Sequence, residues 1–370
     1  MDIGVVTEIK QHERRVAMDT GAVREATLRG HRVFVQAGAG DGAGIGDDRF
    51  RAAGAEILPT AAEVFDAATL LVHVKEPQPE EVAMLRPDHI LFTYLHLAAY
   101  PTVADGLLAS GCTAIAYETV ELPDGRLPLL APMSVIAGRL AVQAGAHHLE
   151  APHLGKGVLM AGYPGVPGAM VVVLGCGSVG TAAIDVAVGM GAHVVAIDLD
   201  DQKLTAVEER FPEVITVHSN REAIERWVHP ADLVIGSVLV AGGRAPVVVT
   251  ADDIAAMQKG SVVVDVAIDQ GGCIATSHET THADPVYLVD DVVHYAVGNM
   301  PGAVPRTSTH ALSNATSGYV LALADGIPSA LARRPELLGG VEVTAGVLTS
   351  APVGAALGRP WSDAVAALAL

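Results

Sequence analysis

The sequence is short of cysteine, of positive charge and of any unbroken apolar run long enough to span a bilayer. It holds three cysteines in 370 residues, Cys112, Cys176 and Cys273. None sits in a C-x-x-C pair, and the odd count argues against a disulfide framework. Buried thiols in a reducing cytoplasm are the expectation. Lys and Arg number 23 against 42 Asp and Glu, a formal net charge of −19. So acidic a surface argues against nucleic acid or an anionic membrane as partner; a local basic pocket for a small anion stays open. The most apolar stretch, MVVVLGCGSVGTAAIDVAVGMGAHVVAI (170–197), is broken by Asp185, His193 and several glycines. Two strands around a helix fit it better than a membrane span. The opening MDIGVVTEIK is strand-like and lacks the basic start, apolar middle and cleavage site of a signal peptide. No repeat of roughly 20–50 residues is present, so a solenoid is not expected.

What is present is a rhythm of strand, helix and strand. IGVV (3–6), RVFVQAG (32–38), LLVHVK (70–75), ILFTYLHL (90–97) and TAIAYETV (113–120) are short apolar runs of the kind that buried parallel strands show, with a helix over 20–31. A long helix is expected over 134–151, followed by a Gly- and Pro-rich loop over 156–169. A second series follows: MVVVLG (170–175), HVVAID (193–198), LVIGSVL (233–239) and SVVVDVAI (261–268), with helices near 178–190 and 308–325. Two such series joined by one long helix predict an α/β protein with two Rossmann-like domains, each on a parallel sheet, flanking a cleft.

VVVLGCGSVG (171–180) sets Gly175, Gly177 and Gly180 in G-x-G-x-x-G spacing. A strand precedes it, a helix follows, and the next strand ends in Asp198, about 20 residues on, as a dinucleotide site requires. The helix N-terminus offers N–H groups to a pyrophosphate. Asp198 can accept a ribose 2′-OH and would repel a 2′-phosphate, which favours NAD over NADP. A second glycine-rich stretch, QAGAGDGAGIG (36–46), lacks the long helix and the acidic strand end, and is expected to be a loop.

Polar residues stand where other apolar runs stop. Arg15 follows the first strand, Lys75 ends LLVHVK, His96 lies near the end of ILFTYLHL and Asp269 follows SVVVDVAI. Ligands of open α/β sheets sit at the carboxyl ends of strands. An α-keto or α-amino acid fits this set. Arg15 can hold a carboxylate by its fork. Lys75 can hold the carboxylate or polarise a keto oxygen, and His96 can move protons near neutral pH. Asp269 can stabilise a cationic imine. The alternatives are a surface arginine, an ion pair of Lys75 with Glu76 or another acid, a core histidine and a turn-capping aspartate. No metal site is expected: His12 and the His147-His148 pair lack ligand spacing and are read as solvated.

The segments ERRVAM (13–18), GHRVFVQAGAG (30–40), HVKEP (73–77), YLHLA (94–98), AYETV (116–120), GCGSVG (175–180), VVDVAIDQGG (263–272), VGNMP (297–301) and VPRTSTHALSNAT (304–316) together resemble the bacterial L-alanine dehydrogenase family over nearly the whole chain. The resemblance implies NAD-dependent interconversion of L-alanine with pyruvate and ammonia. It implies Arg15, Lys75 and Asn299 on the substrate, with His96 and Asp269 catalytic. For the cofactor it implies Ser134, Gly175, Gly177, Ser178, Val179, Gly180, Asp198, Lys203, Ser219, Val238, Leu239, Ile268, Asp269, Asn299 and Met300. It also implies a homohexamer, with a discontinuous substrate domain (1–128 plus 305–370) and an NAD-binding domain (129–304). The chain departs from the family's usual pattern at Asp19-Thr20, where the family has Thr-Pro, and at Val135, where it has an acid. Cys176 and Tyr163 also differ. These departures bear on substrate choice, so the alternatives are another small amino acid or amine as substrate, or an NAD(H)-binding protein related to transhydrogenase that does not aminate.

Overall fold

Residues whose neighbours alternate between two buried faces need no polar side at all, and the strands show this directly. In Met170–Leu174, Val171 and Val173 enter one core cluster while Val172 and Leu174 enter another. Val262 and Val264 against Val263 repeat the split. A strand covered on both faces reads as one continuous apolar run, and each fully buried Val or Leu contributes about 1.5–3 kcal/mol.

The computed structural model describes residues 1–238 and 245–368. In chain order the strands are β1 (Asp2–Val5), β2 (Arg32–Gln36), β3 (Glu56–Leu58), β4 (Leu70–Val72), β5 (Ile90–Thr93), β6 (Thr113–Ala116), β7 (Met170–Leu174), β8 (His193–Asp198), β9 (Ile215–His218), β10 (Leu233–Gly236), β11 (Val262–Asp265), β12 (Val286–Val289), β13 (Val292–Tyr295), β14 (Val341–Thr344) and β15 (Val347–Leu348). The chain divides into two compact units, Met1–Met133 with Val304–Leu370, and Ser134–Ala303. The helix Ala131–His148 carries the chain from the first to the second.

The first unit holds an eight-stranded sheet in the order β15-β14-β6-β5-β4-β1-β2-β3, parallel from β6 to β3, with β14 antiparallel to both β6 and β15. The second holds seven strands in the order β12-β13-β11-β10-β7-β8-β9, parallel except for the β12–β13 hairpin. Each is doubly wound. The order reverses between β1 and β4 in one unit and between β7 and β10 in the other, which are the switch points where such sheets take ligands.

Several strands stop sooner than the apolar runs suggest. β4 ends at Val72, three residues short of Lys75; β5 ends at Thr93, before His96; β11 ends at Asp265, before Asp269. The runs stay buried beyond those points because carboxylates replace the ladder. Glu8 accepts from the N–H groups of Val74 (2.7 Å) and Lys75 (3.0 Å). Glu118 accepts from those of Leu95 (3.1 Å) and His96 (2.5 Å). Buried N–H groups must find such partners. The sequence reading treated these segments as strand; after β4 and β5 they are acid-capped loops. All three cysteines are free and buried. Among the described residues no helix is long and apolar enough to cross a membrane.

Candidate active site

In the first unit, Arg15, Lys75 and His96 follow β1, β4 and β5, three neighbouring parallel strands. Lys75 is 6 % exposed. Its backbone is fixed at both ends, N–H to Glu8 and carbonyl to the Thr93 hydroxyl at 2.8 Å. Its Nζ is engaged by no hydrogen bond or ion pair among the described residues. The adjacent Glu76, the obvious counter-ion, pairs instead with Lys10. The side chain is thus held in place with its Nζ left for a group from outside the protein.

Arg15 is different. Its guanidinium is 2 % exposed and its Nε and Nη2 donate to Glu13 at 2.7 and 2.5 Å, while Nη1 lies 2.9 Å from Met133 Sδ. Burial opposes the charge, but Glu13, then Tyr94 and Glu8, outweigh it and raise the pKa. The expected bidentate hold on a substrate carboxylate is thus partly taken by an internal acid that the sequence reading missed. Glu8, between these groups, has its carboxyl pushed up to about 7, chiefly by burial and against the pull of His73.

His96 sits at φ +48°, a left-handed conformation that costs a non-glycine residue energy. Two contacts hold it. Glu118 Oε1 binds its N–H and lies 3.4 Å from its Nδ1, and the Tyr94 ring stacks within 4° of parallel. A carboxylate on Nδ1 orients the imidazole and leaves Nε2 for chemistry. Glu118 therefore positions His96. No periodicity marks it; its place after β6, in AYETV, is the signal that could have found it.

In the second unit the glycine loop follows β7. Gly175 has φ +93°, and a Cβ on Gly180 would lie 1.7 Å from the Gly175 carbonyl oxygen. Both glycines are required by the turn itself. A Cβ on Gly177 would meet nothing within 4 Å. Its missing side chain serves no internal contact, and the space over it suits a close-approaching pyrophosphate. Ser178 and Val179 open the helix Ser178–Gly189, with Gly177 as N-cap and no side chain capping its N–H groups. Asp198 ends β8; its Oδ2 accepts from Cys176 N at 2.6 Å and its Oδ1 from Asp200 N at 2.9 Å. The acid thus ties the glycine loop to the next strand. Ser219 N bonds the Asp198 carbonyl at 2.8 Å, and Lys203 is exposed on the following helix. Ser134 is half-buried on the long helix, and Val238 is half-buried after β10. Leu239 lies outside the described residues.

Asp269 is exposed in the 3-10 turn Ile268–Gln270 and its Oδ1 accepts from Asn299 N at 3.2 Å. Asn299 has φ +57°, and a Cβ on the preceding Gly298 would lie 2.1 Å from Glu279 Oε1 and 3.2 Å from Asp269 Oδ1. Ile268 and Met300 are buried beside these two turns.

One of the departures, Asp19, has a structural role. Asp19 N-caps the helix Thr20–Leu28, accepting from Gly21 N and Ala22 N at 2.9 and 3.0 Å, and binds His310 Nδ1 at 2.7 Å. Nothing in the structure explains Val135. The His147-His148 pair is not uniformly solvated: His147 is exposed and His148 is buried. The His148 ring lies against Tyr295.

Two family models match the chain: "Alanine dehydrogenase/PNT, N-terminal domain" over residues 4–137 and "Alanine dehydrogenase/PNT, C-terminal domain" over 141–351. The alanine dehydrogenase of Halomonas elongata is 52 % identical, over 98 % of this chain and 99 % of its own. That of Mycolicibacterium smegmatis is 51 % identical over the full length of both. A solved L-alanine dehydrogenase superposes with TM-score 0.92 at 48 % identity, covering 97 % of this chain and 99 % of its own. A transhydrogenase from Sinorhizobium meliloti shares the fold at 23 % identity, TM-score 0.80, over 95 % of this chain and 99 % of its own.

Proposed function

Since the chain belongs to the alanine dehydrogenase/PNT family, we propose that it is an NAD-dependent alanine dehydrogenase, converting L-alanine, NAD+ and water to pyruvate, ammonium and NADH with release of a proton, and running the reverse amination. The observation that carries this is Lys75, a buried residue fixed by its backbone whose Nζ has no partner among the described residues. A substrate carboxylate supplies the missing anion. Arg15, already balanced by Glu13, adds a second cationic group to the same end of the substrate. NAD, when bound, supplies the hydride acceptor. Gly175, Gly177, Ser178 and Gly180 would hold its pyrophosphate and Asp198 its adenosine ribose; the open space over Gly177 fits that role. His96 takes a proton from the attacking water and returns one to the departing amine, kept in orientation by Glu118. Asp269 stabilises the cationic imine. The reading extends to a cytoplasmic enzyme that works as a homohexamer.

The test is NADH oxidation at 340 nm with ammonium and a panel of keto acids. Rapid, ammonium-dependent oxidation with pyruvate is expected. Activity confined to a bulkier keto acid would change the substrate, and silence across the panel with NADH still binding would overturn amination.

A further inference from the structure

Along the sequence, His147 and His148 form an isolated pair. The fold adds two groups. The helix Ala131–His148 ends at the pair, the 3-10 turn Ala151–His153 follows, and the chain folds back. This brings His147, Glu150 and His153 together, with one ligand atom of each within 4.8 Å of the others. Among the described residues it is the one His/Cys/Asp/Glu group so placed. The His147 and His153 rings lie 3.8 Å apart, tilted by 35°, and His153 Nε2 is 3.8 Å from Glu150 Oε2.

The backbone beneath is fixed. His153 N and Gly155 N both bond the Glu150 carbonyl, at 2.9 and 3.2 Å, and Gly157 N bonds that of Leu149 at 2.8 Å. Pro152 lies inside the turn, Leu154 reverses the chain at φ +75°, and a Cβ on Gly155 would lie 2.1 Å from the His148 carbonyl oxygen. Behind the three stands His148, buried, its ring edge-on to both His147 and His153 and its Nδ1 without a hydrogen-bond partner among the described residues. The site also sits at the C-terminal end of an 18-residue helix, where the dipole favours a cation.

We propose that His147, Glu150 and His153 form a binding site for one late first-row divalent cation, with Zn2+ as the reference ion. Two imidazoles and a carboxylate select Zn2+, Ni2+, Cu2+ or Co2+ over Mg2+ and Ca2+, which prefer all-oxygen shells. Bonds of about 2.0–2.1 Å place neighbouring tetrahedral ligands about 3.3 Å apart. Rotamer changes in two exposed side chains and one half-buried one close the remaining gap. Three protein ligands leave a fourth position for water. The bound ion links the end of the long helix to the turn, and so stabilises the native state by mass action.

The test uses the full-length chain without a histidine tag, stripped with chelator. Zn2+ is titrated by calorimetry and Co2+ by visible absorption, with melting curves in parallel. One equivalent per chain and a rise in melting temperature on Zn2+ addition are expected. His153→Ala is expected to weaken binding by more than about 100-fold, beyond what an outer-sphere group usually costs, and to abolish the rise. Should metal-free His153→Ala melt below the wild type, His147→Gln carries the same test at an exposed position. Absence of stoichiometric binding, or equal affinity in the wild type and these variants, overturns the site.

Discussion

At the scale of single residues, the site is organised by carboxylates that the sequence does not advertise. Glu8 reaches Val74 across 66 residues and Glu118 reaches His96 across 22. Such pairings leave no local pattern, because an acid that caps a distant loop looks like any other acid. Lys75 and His96 were legible because a charged or titratable residue breaking an apolar run is anomalous in itself. Glu81 illustrates what burial does when no cation is near. It is 4 % exposed, and desolvation pushes its carboxyl up to about 7, against the N–H of Gln78 and with help from Glu80 and Glu76. Its folded pKa lies above the unfolded value of about 4.3. The stability it contributes is therefore complete below that value and lost as pH rises through about 7. Thermal melts from pH 5 to 8 are expected to show a smaller fall in Glu81→Gln than in the wild type. Equal slopes would show that Glu81 is ionised throughout.

At the scale of elements, the glycine loop was legible from its spacing together with the strand before it, the helix after it and the acid that ends the next strand, and the space around each glycine separates their roles. Gly180→Ala drives a Cβ against the Gly175 carbonyl and is expected to lower the melting temperature strongly, whereas Gly177→Ala meets nothing and is expected to melt like the wild type while losing NADH affinity. Fluorescence titration with NADH beside a melting curve separates the two; comparable destabilisation in both variants would deny Gly177 its cofactor role. The ends of β4 and β5 were misjudged because apolar composition reports burial, and burial continues after the ladder stops. The Asp19-Thr20 departure illustrates the converse. Read as a mark of substrate choice, it is a helix cap. Asp19→Ala is expected to cost about 1–2 kcal/mol in denaturant unfolding and to leave the ratio of kcat/KM for pyruvate over 2-oxobutyrate unchanged. A shift in that ratio would return Asp19 to the substrate.

At the scale of the molecule, two α/β series were visible as two sets of apolar runs, and both sheets are present. The strands that escaped are six short ones: β15 has two residues, β3 has three, and β9, β12, β13 and β14 have four each. The return of the chain end to the first sheet, through β14 on β6, is a tertiary pairing across more than 200 residues and has no local signature. The net charge of −19 offers a small anion no general attraction, so in the proposed reading its recognition rests on Lys75. The most direct measurement is kcat/KM for pyruvate, at saturating NADH and ammonium, in Lys75→Met against the wild type. Removal of a charge that meets the substrate is expected to lower it by about 10²-fold or more, in a protein that still binds NADH. A variant within about threefold of the wild type would contradict the assignment of Lys75 as the substrate's anion site.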